Sequence, residues 1–166
     1  MIRSVVDFVT VWNQEAKNTT SLFRALNDGA MQQSVRSDHR DLGRLAWHIT
    51  TTIREMMERT GLHVEGPEPD APVPASVEEI VTAYETSSAS LTKSLGTWTD
   101  ETLDVEDNMY GEKWRRALTL QILLLHQTHH RGQMTVLMRQ AGLAIPGMYG
   151  PAKEDWAKYG MPTPTI

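Results

Sequence analysis

Leu125-His126-Gln127-Thr128-His129-His130-Arg131-Gly132 lies inside a largely apolar run that extends from about residue 114 to residue 141 and stops at Gly142. Successive residues of an α-helix turn by about 100°. His126 and His130 therefore project within about 40° of one another, and their ring nitrogens can converge on one ion. On the helical wheel Leu118, Thr119, Ile122, Leu123, Met134 and Leu137 share the His126 side, whereas Gln121, Thr128, Arg131, Gly132, Thr135 and Arg139 fall on the opposite, polar arc. Both histidines thus face inward from a long core helix. His129 points to the flank of Ile122 and Gln133, where it is a spectator, a donor behind the ligands or a surface group.

Working outward, the residues between 2 and about 27 place Val5, Phe8, Val9, Trp12, Leu22, Phe23 and Leu26 at mixed spacings of one, three and four, with Asn27-Asp28-Gly29 as a stop, which predicts a first helix. A second helix begins between Ser37 and Asp41 and carries Leu42, Leu45, Ala46, Ile49, Ile53, Met56 and Met57 on one face until Thr60-Gly61, with His48 at the edge of that face. Gly66 to Pro74 holds four prolines in nine residues and reads as an extended crossover. Ser76-Val77-Glu78-Glu79 is a capping box that opens a third helix ending at Gly96. Residues 97 to 113 suggest a short extended excursion or hairpin. The stretch from Ile145 to Ile166, rich in Pro and Gly with one amphipathic piece from Glu154 to Tyr159, is expected to strap the bundle. Four helices without a convincing strand set predict an all-α four-helix bundle.

Composition narrows the chemistry. A chain of 166 residues fits a single domain, 1–166, and its 40% hydrophobic and 22% charged residues match a soluble globular protein. There is no cysteine, so thiolate ligands, disulfides and a cysteine nucleophile are excluded, and any ion must rest on histidine nitrogen and oxygen. A net charge of −5 with no basic run longer than Arg115-Arg116 argues against a nucleic-acid partner. The N-terminus lacks a leader pattern, and no stretch reaches the roughly 18 apolar residues of a membrane span. A cytoplasmic location is the expectation.

A lone histidine on an apolar helix face is usually a hydrogen-bonded boundary residue, which is how His48 reads by itself. The pair His126 and His130 is different, because one ion satisfies two inward imidazoles at once. The tryptophans and methionines, including Trp12, Trp47, Met56, Met57, Met134 and Met138, read as packing. Glu55, seven residues after His48, is placed to orient a histidine or accept a proton, although a solvated carboxylate is the simpler reading. Arg44 and Arg131 read as surface cations. The turn Gly147-Met148-Tyr149-Gly150-Pro151 reads as a strap packed near a pocket rim.

Leu45-Ala46-Trp47-His48-Ile49, together with His126-x-x-x-His130-Arg131-Gly132-Gln133 and Leu137-Met138-Arg139-Gln140-Ala141-Gly142, resembles the DinB/YfiT-like metalloenzyme superfamily over nearly the whole chain. The resemblance implies an up-down-down-up bundle, a homodimer, and a divalent metal on three histidines matching His48, His126 and His130. The family name denotes a damage-inducible protein and carries no polymerase activity. Relatives in the superfamily include thiol-dependent S-transferases using bacillithiol, mycothiol or glutathione, and a mycothiol-dependent maleylpyruvate isomerase. The implied function is a metal-dependent enzyme, with Zn or Ni first and Fe, Co or Mn next, that takes a low-molecular-weight thiol and a small-molecule substrate. Its rivals are a noncatalytic stress-related metal-binding dimer, a metal-dependent hydrolase and a metal-free interaction protein. Three histidines with only Glu55 as a weak fourth favour an open, catalytic site over a closed structural one.

Overall fold

The computed structural model describes residues 2–165. Its helices are α1 (Val5–Arg24), α2 (Leu42–Glu58), α3 (Val77–Leu95) and α4 (Arg116–Gln140), and a two-stranded hairpin, β1 (Glu106–Met109) and β2 (Glu112–Arg115), precedes α4. Each of the first three helices starts where a side chain takes up a free backbone donor. Ser4 accepts from the Asp7 N–H, Asp41 from Arg44, and Ser76 from Glu79, whose carboxylate returns the bond to close the capping box. α1 is therefore shorter than the 2–27 expected from periodicity. At its far end Ala25 and Leu26 bond three residues back, and Asn27 caps a separate 3₁₀ turn, Asp28–Ala30, in place of a simple stop. The unfavourable Asn18-Thr19-Thr20 stretch stays helical because Asn18 and Thr19 are buried against the bundle, a tertiary override of propensity.

The excursion after α3 is a hairpin. Asp107 pairs with Trp114 and Met109 with Glu112, and the connecting Tyr110 and Gly111 both take positive φ, 59° and 91°, as a two-residue hairpin turn requires. Asn108 Oδ1 accepts the Gly111 N–H at 2.9 Å. This pairing holds Trp114 and Arg115 extended, so α4 starts at Arg116 and not at residue 114.

α2 packs on α3 and α4, and α1 packs on the same two helices, so α1 and α2 lie on one diagonal. The start of α3 meets the turn after α1 through the bond from Val77 N–H to Asp28, and the start of α4 meets the end of α2 through Arg116 and the Thr60 carbonyl. α1 and α4 consequently run one way and α2 and α3 the other, in up-down-down-up order. Phe8, Trp12, Phe23, Tyr84, Met57, Met134 and Met138 fill the centre, and the indole N–H of Trp12 donates to Ser88 Oγ at 2.9 Å.

The proline-rich crossover lies along α2 and α3. Trp47 donates to the Ala71 carbonyl at 2.8 Å, Arg54 to Gly66 at 2.9 Å, and the Glu65 N–H donates to Ser90 Oγ at 2.8 Å. At Gly66 the backbone comes so close to α3 that a Cβ would run into Ser87. After α4, Leu143, Ile145 and Met148 pack on the core, and the amphipathic piece forms the short turn Trp156–Tyr159. Among the described residues, no helix is long and apolar enough to cross a membrane.

Candidate metal centre

α2 and α4 lie antiparallel, and their facing surfaces bring His48 opposite His126 and His130. The Nε2 atom of His126 is 3.1 Å from that of His48 and 3.1 Å from that of His130. One ligand atom from each of the three lies within 4.8 Å of the others, and no further His, Asp or Glu among the described residues joins the group. His48 and His126 are half-buried, and His130 is 7% exposed.

The electrostatics hold these rings neutral. Burial is the main cause of the drop in the His48 pKa to about 3, aided by Arg40, the other two histidines and Arg44. Burial and the neighbouring His130 and His129 lower His126 to about 4, against a small opposing pull from Glu55. His130 is lowered by burial too, although its bond to Gln133 works the other way. Gln133 Oε1 lies 2.7 Å from His130 Nδ1. With the amide oxygen toward the ring, Nδ1 carries the proton and the Nε2 lone pair points at the other two histidines.

A cation fits this arrangement better than hydrogen bonding does. His126 Nε2 can give at most one proton, yet it faces two other ring nitrogens, so one of the two 3.1 Å contacts lacks a hydrogen-bond proton whenever His130 Nε2 and His48 Nε2 are lone pairs. His126 Nδ1 is buried with no hydrogen-bond partner among the described residues. Zinc–histidine bonds are about 2.0–2.1 Å long, so nitrogens 3.1 Å apart are spaced as two ligands meeting at an angle of about 100°. The three residues could hold a divalent ion through Nε2, with Gln133 orienting one of them from behind.

The other candidates sort differently. Glu55 does not bond a histidine: Arg59 holds one of its oxygens at 2.6 Å and the Tyr110 hydroxyl donates to the other at 2.7 Å. His129 is exposed, with its ring centre 4.9 Å from that of His130. Arg44 is exposed, as expected. Arg131 is not a surface cation. It is 1% exposed and directed at α1, where it binds the Glu15 carboxylate, the Glu15 carbonyl and Thr19 Oγ1. The wheel misplaces it because α4 is covered on two sides, by α2 and by α1, so its polar arc is partly interior. Tyr149, in the turn expected to pack near a pocket rim, adds its hydroxyl to the Arg131–Glu15 pair. From the sequence, Gln133 stands only on the flank of His129 and in the family motif; its bond to His130 is new, although its place three residues after His130 was the available signal.

The DinB family model matches residues 1–164. The chain is 42% identical over 167 residues to a Bacillus subtilis (strain 168) protein described as uncharacterized protein YrdA, with 100% of both chains covered. Among solved structures it is similar to a DinB-like protein from Bacillus cereus ATCC 10987, at 39% identity and a TM-score of 0.86, over 90% of this chain and 100% of that one. A DinB-like protein of Bacillus subtilis, YjoA, shares the fold at 19% identity and a TM-score of 0.68, over 87% of this chain and 98% of the other. With its four-helix bundle and a family match along nearly its whole length, this chain belongs to the DinB family.

Proposed function

We propose that the protein is a divalent-metal-dependent enzyme with His48, His126 and His130 as ligands, and that it transfers a low-molecular-weight thiol to an electrophilic small molecule. The observation that carries the reading is the convergence of the three histidines, with His126 Nε2 3.1 Å from the Nε2 of each of the other two and no fourth protein ligand among the described residues. Three protein ligands leave a position for an exogenous one, and a divalent ion there lowers the pKa of a bound thiol or water. The protein's own part is to keep the three imidazoles unprotonated at neutral pH, through burial and mutual proximity, and to fix the His130 tautomer through Gln133. With no cysteine in the chain, a sulfur nucleophile has to arrive with the ligand. Arg40 and Arg44, whose charges reach His48, make the approach favourable for an anionic thiol.

Elemental analysis of wild type beside His126→Ala and His130→Ala, each checked for folding, tests the metal assignment. Near-stoichiometric metal that vanishes in both variants is expected. No metal after reconstitution with Zn, Ni, Fe, Co or Mn, or equal metal in all three proteins, would refute it. Loaded protein is then offered bacillithiol, mycothiol and glutathione with alkylating electrophiles, and thiol consumption that His126→Ala abolishes is expected. Full metal with no thiol consumed would retire the transferase in favour of a hydrolytic or noncatalytic role.

A further inference from the structure

A cavity of ≈ 370 Å³ opens beside His130, lined by Arg40, Leu45, Gln133, Val136 and Leu137. That is at the small end of the range for pockets that take small molecules. Its walls are aliphatic and come from α2 and α4, with Val35 at the mouth. Val35 is 64% exposed and Val136 56%, so this apolar lining is open to an incoming group.

Its polar groups are few, and all but Arg40 make at least one side-chain hydrogen bond among the described residues. His130 and Gln133 bond each other, and His39 is held by Asp38 at 2.8 Å. Asp38 also receives Arg36, while Asp41 is used to cap α2. The Arg40 guanidinium has no ion-pair partner among the described residues and lines the same cavity as His130. A wider groove of ≈ 840 Å³ shares Arg40 and also holds Arg44, but three carboxylates, Asp28, Asp38 and Asp41, line it and none of the three clustered histidines does. Those carboxylates offset its two arginines, whereas no carboxylate lines the smaller cavity.

We infer that the cavity beside His130 binds a small monocarboxylate with a short apolar body, the carboxylate on Arg40, the body against Leu45, Val136 and Leu137, and the far end toward His130. This deepens the reading of the three-histidine centre by naming the class of its organic ligand. Recognition by Arg40 does not itself need the ion. A planar guanidinium pairs with a carboxylate through two parallel hydrogen bonds, and the aliphatic walls reward a tail that acetate lacks.

Calorimetric titration of hexanoate, with hexan-1-ol as its neutral counterpart, into the zinc-loaded full chain tests this. Wild type, Arg40→Gln and Val136→Glu are compared, and the series is repeated on metal-stripped protein. Both positions are exposed, so the variants should fold. Arg40→Gln should weaken hexanoate at least about tenfold, as expected for loss of a charge-assisted pair, and leave hexan-1-ol unchanged. Val136→Glu should weaken both ligands. Hexanoate bound equally by wild type and Arg40→Gln would mean the carboxylate sits on the zinc, which overturns the inference, as does no binding to wild type. If the protein takes up none of Zn, Ni, Fe, Co or Mn, the metal reading fails alone, because Arg40-dependent binding of hexanoate to the metal-free chain would still uphold the cavity.

Discussion

His130 and Arg131 are neighbours on α4, yet they enter opposite halves of the bundle and meet opposite fates. Arg131 turns to α1 and finds a carboxylate, a carbonyl and hydroxyls from Thr19, Thr128 and Tyr149. His130 turns to α2 and finds two more neutral bases, with Gln133 satisfying only its outer nitrogen. Protein groups alone neutralise the first charge and take up its two terminal nitrogens, leaving only Arg131 Nε without an acceptor among the described residues. The second is an inward-facing set of lone pairs that the protein leaves incomplete. Buried polarity thus serves the fold on one side of α4 and on the other forms a group that could hold an ion.

The sharpest way to break this contrast is Arg131→Met. It strands the Glu15 carboxylate, and unfolding in urea should show a loss of about 3–5 kcal/mol, while metal per folded chain stays as in wild type. A loss below about 1 kcal/mol would mean that the Arg131 group is not the closed network it looks. On the other side, Gln133→Ala should leave the fold intact and weaken metal binding by about 10–100-fold, read by competition with a chelator. An unchanged affinity would remove Gln133 from the site.

Acid should separate the two groups further. The folded chain holds His48 to about 3 and His126 to about 4, both below the ordinary 6.5. As pH falls through 6.5 the unfolded chain takes up protons that the folded one refuses. The stability these histidines permit is therefore complete above 6.5 and declines toward the lowered values of about 4 and 3. Each contributes less than about 1.4 kcal/mol per pH unit, since the rings are partly exposed. Urea midpoints of metal-free protein across that range should fall with acid, and the slope should flatten in a triple alanine variant at positions 48, 126 and 130; equal slopes would place the acid sensitivity elsewhere. The smallest effect is expected for His126→Ala in metal-free protein, a change within about 1 kcal/mol. A substantially larger loss would make the histidines part of the core's support.

Much of this was legible in the residues. The capping box at Ser76 and the glycine stop at Gly142 mark helix ends, and the four-residue spacing of His126 and His130 gives a shared face, because caps and spacings act within one or two turns. The boundary at Arg116 was not legible, since Trp114 and Arg115 are held extended by partners in β1. His48 needed the family resemblance, as one histidine carries no spacing. Glu55 sits on the expected face but is claimed by Tyr110 from the hairpin, a contact between residues 55 apart.

Four helices, their inward stripes, the lack of any thiolate from the protein itself and an inward histidine pair all follow from local periodicity and composition, and so were set by the sequence. Only the tertiary structure decided that α4 is covered on two sides, that Arg131 meets Glu15 from 116 residues away, that Tyr149 returns from the tail to join them, and that a free Arg40 borders the cavity beside His130. A helical wheel records where a side chain leaves its own axis. What it meets depends on which helices stand beside it, and that is settled by burial summed over the whole chain.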